Sequence, residues 1–210
     1  MKRIHSATGM AASIATVLLA MTACSRQAPP SAEDKTDGAT MRVYPYTIVT
    51  TVSMVRDITA QVAGDKAIVK GVIGTGVDPH LYKPTRNDVV ALQSADVILY
   101  SGLMLEGKMG DILVKVARQK PVFAVTELVP QSYLLEPPEF AGHPDPHLWM
   151  DVSGWMKAVQ AVQASLSEYD PAHAAFYASN AERYLKELNA LHEYARTSIA
   201  SIPVQRRLLI

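Results

Sequence analysis

Cysteine is almost absent: the chain of 210 residues carries one, Cys24. A single thiol cannot close an internal disulfide, so a packed core must hold the fold. An excess of one charge is missing as well. The 20 Lys and Arg balance the 20 Asp and Glu, for a formal net charge of zero. No basic stripe is visible, so nucleic acid is not an expected partner. The uncharged, mostly apolar run from Met10 to Met21 is about a dozen residues, short of the roughly 20 that span a bilayer. A nucleophile elbow, a His-Glu-x-x-His pair and a phosphate loop are all lacking, which argues against an enzyme. What remains is ordinary globular composition, 49% hydrophobic and 19% charged.

The first residues read as an address. Lys2 and Arg3 give a positive start, and the apolar run contains Ile14, Val17, Leu18 and Leu19. It ends in Met21-Thr22-Ala23-Cys24, small residues before a cysteine, as in a bacterial lipobox. Residues 1–23 are therefore expected to be a signal peptide. Cys24 is expected to be the lipidated N-terminus, with an ordinary cleavage near Ala23 as the alternative. Acyl chains contribute about 0.8 kcal/mol per buried methylene, so two or three anchor firmly. Residues 24–42 contain Pro29, Pro30, Ser31, Glu33, Asp34 and Gly38 and offer little to bury; they read as a flexible tether.

From Val43 the pattern alternates between strands and helices. Strands are predicted at Tyr46–Val52, Ala67–Ile73, Asp96–Tyr100 and Pro121–Val125, each β-branched or apolar and bounded by turn residues. Between them, one helix is predicted from a Ser53 cap to Ala63 with Val55, Ile58, Thr59 and Val62 inward. A second starts at Thr85 with Val89, Val90 and Leu92 inward, and a third spans Met109–Arg118. The alternation implies a parallel sheet covered on both faces, with ligands bound beyond the carboxyl ends of the strands. A further helix starts at Asp151 or Ser153 and carries Trp155, Met156, Val159, Val162 and Leu166. Asp170-Pro171 reads as a cap and first turn of a long helix to Ile202. Its stripe of Tyr177, Ala181, Tyr184, Leu188, Leu191 and Ala195 suits a strut between lobes, or a coiled-coil strand. Arg206–Ile210 reads as the opening of another strand.

Asp-Pro-His occurs twice in predicted loops, at Asp78-Pro79-His80 and Asp145-Pro146-His147. Proline fixes its own φ and restricts the residue before it, so each histidine follows a stiff backbone. Stiffness suits a metal ligand, whose position must be right within tenths of an ångström. Neutral imidazole binds zinc, iron, copper and nickel, and protons compete for it. Spacing alone leaves a structural role equally open, and a closed zinc site needs four ligands. His143 is four residues before His147, but Pro144 and Pro146 exclude a helix that would align them. His173 and His192 fall on the long helix and read as solvated or structural. Met104, Met109, Met150 and Met156 read as core or gap-filling residues rather than a copper-binding cluster.

Three ordered segments resemble the TroA-like zinc/manganese-binding proteins of ABC transporters. Gly76-Val77-Asp78-Pro79-His80-Leu81-Tyr82, with Asp88 downstream, is similar to the family's first metal loop. Ala95–Leu103 with Leu105-Glu106 is similar to its third strand and following loop, and Asp145–Asp151 to its second metal loop. The resemblance implies two α/β lobes joined by a long helix, with the ion held between them. It makes His80 and His147 the first-lobe ligands. The second-lobe ligands would be a histidine or glutamate soon after a strand beginning near Leu208, and a later aspartate. Neither occurs in this sequence.

The expected fold class is therefore α/β: a parallel four-stranded lobe at residues 43–169 and a linking helix at 170–202. Residues 203–210 would start a second α/β lobe that is missing, so the chain reads as truncated, with at most half of a four-ligand site. The uncovered end of the helix is expected to expose apolar surface. The implied cargo is zinc or manganese, with iron a further candidate. The implied partners are an ABC permease and, through Cys24, a bacterial membrane on its extracytoplasmic side. A metal-dependent hydrolase and a surface adhesion lipoprotein are the competing readings. The segment Glu127–Gly142 has no histidine, so a histidine-rich zinc-buffering loop is not expected there.

Overall fold

Among the described residues four short segments form the strands, the inner two buried and the edge two partly exposed: β1 Tyr46–Thr50, β2 Ala67–Gly71, β3 Val97–Tyr100 and β4 Val122–Ala124. They belong to a computed structural model that describes residues 42–140 and 142–208. Cys24, with the signal-peptide and lipidation readings, lies outside the described residues, as do Leu209 and Ile210. The strands pair in parallel in the order β2-β1-β3-β4, with Ile48 opposite both Val69 and Val97. Ladder bonds continue past the strand ends as Val72 N–H to Thr50 O (2.9 Å) and Ile73 N–H to Thr51 O (2.8 Å), leading into the loop that carries His80.

Five α-helices lie among the described residues: α1 Ser53–Ala63, α2 Arg86–Ser94, α3 Gly110–Val116, α4 Val152–Tyr169 and α5 Ala174–Ala200. From β1 the chain steps out to β2, then returns past β1 to β3 and β4. Right-handed crossovers on such a path put helices on both faces. Accordingly α1, α4 and α5 pack together, and α2 packs against α3. Ile48, Val49, Val97, Ile98 and Leu99 fill the middle of the sheet, beneath Val55, Ile58 and Val62 of α1 and Val159, Val162 and Leu166 of α4. Each fully buried aliphatic side chain contributes about 1.5–3 kcal/mol. Among the described residues no helix is long and apolar enough to cross a membrane.

Several local expectations need correction. The cap of α1 is Val52, in extended backbone, and Ser53 is already helical; its hydroxyl meets Met54 Sδ at 3.4 Å rather than a backbone N–H. Thr85 does cap α2, in a reciprocal box with Asp88. Val90 is 53% exposed and Val89 only half-buried; Leu92 is the residue of this helix that reaches the core. Asp170 caps nothing with its side chain. A 3₁₀ turn at Pro171–His173 separates it from α5. Of the strand expected at Arg206–Ile210, Arg206 lies in a 3₁₀ turn, Val204–Arg206, Arg207 and Leu208 are in no regular element, and Leu209 and Ile210 fall outside the described residues. Arg207 folds back there, donating from Nε to Ile202 O (2.8 Å) and from a terminal nitrogen to Ala200 O (2.9 Å), which satisfies carbonyls at the helix end. Arg42, read as tether, stacks its guanidinium 3.6 Å above the Tyr169 ring and donates to Tyr169 O at 2.7 Å. Helix α5 runs 27 residues, or about 40 Å. Its stripe is buried at Tyr177, Ala181 and Leu188, half-buried at Tyr184 and Ala195, and exposed at Leu191; Tyr194 and Ile199, outside the stripe, are exposed as well.

Asp170 is a buried acceptor. It receives Tyr177 OH (2.6 Å), Tyr44 OH (2.8 Å) and His173 Nδ1 (3.0 Å), which tie β1's entry to the start of α5. Burial pushes its carboxyl up, but these hydrogen bonds outweigh it and hold the group below the usual carboxylate range. The folded value being the lower one, its stabilisation is present above about pH 4 and is lost as pH falls through the folded value. Asp170→Asn is expected to cost about 1.5–3 kcal/mol at neutral pH and to flatten the acid limb of stability. Urea unfolding between pH 3 and pH 7 measures both.

Candidate metal site

The two Asp-Pro-His segments fold into the same local structure. Asp78 Oδ1 accepts His80 N–H at 2.9 Å, and Asp145 Oδ1 accepts His147 N–H at 2.9 Å. Each aspartate thus closes an Asx turn over its proline, and the histidine leaves the turn in a set direction. The first turn follows β2. Its far side is held by α2's capping box, where Asp88 Oδ2 accepts both Tyr82 OH (2.7 Å) and Thr85 N–H (2.7 Å). The second lies beyond β4, pinned by Asp145 N–H to Leu135 O at 2.7 Å. Buried Leu148 packs under Gly154 of α4, where a Cβ would come within 2.6 Å of its methyl.

These supports bring the imidazoles together across 67 residues: His80 Nε2 lies 3.3 Å from His147 Nε2. A tetrahedral ion with metal–nitrogen bonds of about 2.0–2.1 Å needs two nitrogens roughly 3.3–3.4 Å apart. The pair already has that spacing. His147 Nδ1 is 2.6 Å from Asp145 Oδ1. An ionised carboxylate only accepts, so Nδ1 carries the proton and the Nε2 lone pair is directed at the cleft. Trp149 stacks edge-on against His147, with centroids 5.1 Å apart, and limits its rotation.

The cleft beside the pair has a volume of about 440 Å³ and is walled by Leu103, Met104, Phe140 and Pro144. His143 lines it too, but among the described residues no group of three or more His, Cys, Asp or Glu could hold an ion. His173 is taken up by Asp170, and His192 lies on α5 by a separate groove. Met104 and Met150 are not core residues: they are 72% and 77% exposed, at the rim and in the turn after His147. Leu103 and Met104 have φ of 52° and 65°, left-handed backbone unusual for such side chains. Glu127 Oε1 braces them by accepting Leu103 N–H at 3.1 Å. A second buried carboxylate, Glu106, sits below this loop, and burial holds its carboxyl above the usual range. Sequence reasoning gave Glu106 no role of its own. The available signal was an acidic residue in an apolar run just before glycine.

The profile of the family described as ZnuA, zinc-uptake complex component A periplasmic, matches residues 48–210. This chain belongs to that family. Among relatives it is 40% identical over 163 residues to the manganese-binding lipoprotein MntA of Bacillus subtilis, across 78% of this chain and 53% of MntA. It is 40% identical over 165 residues to the zinc-binding protein TroA of Treponema pallidum, across 78% and 52% of the two chains. The solved structure of periplasmic zinc binding protein TroA from that organism matches with a TM-score of 0.74 and 39% identity, over 78% of this chain and 58% of that one. The α/β lobe and long helix are thus a ZnuA-family arrangement. The chain spans about half the length of the curated relatives it matches.

In ¹⁵N-imidazole spectra of the metal-free chain, His147 is expected chiefly as the Nδ1–H tautomer, and Asp145→Ala is expected to reduce that share. An Nε2–H majority in the parent chain would contradict the assigned hydrogen bond.

Proposed function

We propose that this chain is the extracytoplasmic metal-capturing component of an ABC-type importer, with His80 and His147 as ligands to a divalent transition-metal ion. The observation that carries the reading is the 3.3 Å approach of the two Nε2 atoms at the end of a stiff, braced pair of turns. Membership of the ZnuA family and relatives named for manganese and zinc binding support it. Zinc and manganese are the leading cargoes, and a relative named as an iron-binding protein, YfeA of Yersinia pestis, keeps iron in view.

Capture requires no covalent change. The ion takes the Nε2 lone pair of each neutral imidazole, with each ring carrying its remaining proton on Nδ1 and any proton held between the two Nε2 atoms passing to water. Two nitrogens are half of a tetrahedral shell, and the remaining positions fall to water or to ligands outside the described residues. The apolar walls of the cleft strengthen the charge–dipole interaction once water is excluded. Release at a membrane permease then needs only that one ligand move away. Cys24, if lipidated, would keep the carrier at the membrane surface, and that anchoring is part of the proposal.

His80→Ala and His147→Ala are each expected to weaken zinc or manganese binding at least tenfold, about 1.4 kcal/mol, by titration calorimetry. The double variant is expected to bind no more weakly than loss of the whole site allows, because the two ligands act as a unit. Unchanged affinity in both single variants would remove the ligand assignment.

A further inference from the structure

We propose that Glu106 and Gly107 form the seat that positions His80, an assignment that rests on the metal-capture reading above. The path of the sheet reverses between β1 and β3, and in open parallel sheets the crevice beyond the strands at that point ordinarily takes the ligand. Here the chain's own carboxylate occupies it. Glu106 is 2% exposed. Its Oε1 accepts Thr51 Oγ1–H at 2.7 Å, just past β1, and Ser101 N–H at 2.6 Å, just past β3. Its Oε2 accepts Gly102 N–H at 3.1 Å. One side chain therefore fixes both strand ends. A buried carboxylate with this many donors has a well-defined place, and so does the residue after it.

That residue touches the ligand loop. Gly107 has a φ of +45°, and a Cβ built on it would lie 2.5 Å from His80 O and 3.3 Å from His80 C. The obstacle is backbone, which cannot rotate out of the way as a side chain would. Any other residue at 107 must push the His80 turn outward. The path of contact runs from Thr51 and Ser101 through Glu106 and Gly107 to the backbone of His80. A shift of a few tenths of an ångström there carries to Nε2, whose distance from His147 decides whether one ion reaches both nitrogens. Glu106 and Gly107 touch neither the imidazole nor the ion. They are positioning residues.

The test is zinc titration of the full chain by calorimetry, with His80→Ala alongside and far-UV circular dichroism of the metal-free forms. Gly107→Ala and Gly107→Asn both place a Cβ against His80. Asparagine tolerates left-handed backbone, so it separates the contact from strain at 107 itself. Both are expected to bind zinc at least fivefold more weakly with unchanged metal-free spectra. The zinc-induced ¹⁵N shift of His80 Nε2 is expected to shrink while that of His147 persists. If Gly107→Asn binds like the parent while His80→Ala is at least tenfold weaker, the seat is refuted and the capture reading stands. If His80→Ala binds like the parent, both fall. Should neither glycine variant fold, Thr51→Val, which withdraws one of the three donors to Glu106, decides. A threefold or greater loss supports the seat, and parental affinity overturns it.

Discussion

Two imidazole nitrogens with lone pairs aimed at one point repel each other unless a proton or a metal ion lies between them. One hydrogen bond suffices at 3.3 Å in the metal-free pair, but presenting both lone pairs to one ion at that spacing takes a scaffold that does not relax. Here the scaffold is local first. Each Asp-Pro-His turn closes on itself, aspartate carboxylate to histidine N–H, with proline removing the freedom in between. It is tertiary second. One turn hangs from the β2 edge and is clamped by α2's cap, and the other is pinned by Leu148 beneath α4. The parallel sheet brings them to the same edge because every strand points its carboxyl end that way.

Buried acids do related work in two places. Asp170 gathers Tyr44, His173 and Tyr177 where the chain enters β1 and begins α5. Glu106 gathers Thr51, Ser101 and Gly102 where β1 and β3 end. Each buried carboxylate is met by several donors, which offsets the cost of taking it from water. Their environments nevertheless push in opposite directions: hydrogen bonds prevail at Asp170, and burial prevails at Glu106. With a single cysteine in the sequence, such polar ties take the place of cross-links.

The sheet was legible because β1 and β3 are nearly continuous buried runs and the helices between them keep a clear 3.6-residue period. The histidine pair was legible because the Asp-Pro-His motif repeats, and its stiffness follows from proline alone. What was not legible depends on contacts between distant residues. Ser53 had the composition of a cap, yet Val52 takes that place; Asp170 does precede Pro171 at the cap position, but of a 3₁₀ turn and without a side-chain cap hydrogen bond. Val90, Met104 and Met150 are apolar and suggest an inward place, but each is more than half exposed among the described residues. The link from Glu106 through Gly107 to His80 spans 26 residues or more of chain, and no periodicity reports it.

On the proposed reading, metal affinity at this site is set by how firmly two turns are held. The most direct test of that reading is a crystal of the chain grown with zinc and measured across the zinc absorption edge. An anomalous peak about 2.0–2.1 Å from Nε2 of both His80 and His147 is predicted. A peak bound to neither nitrogen, or an imidazole pair separated by more than a shared ion can bridge, would contradict it.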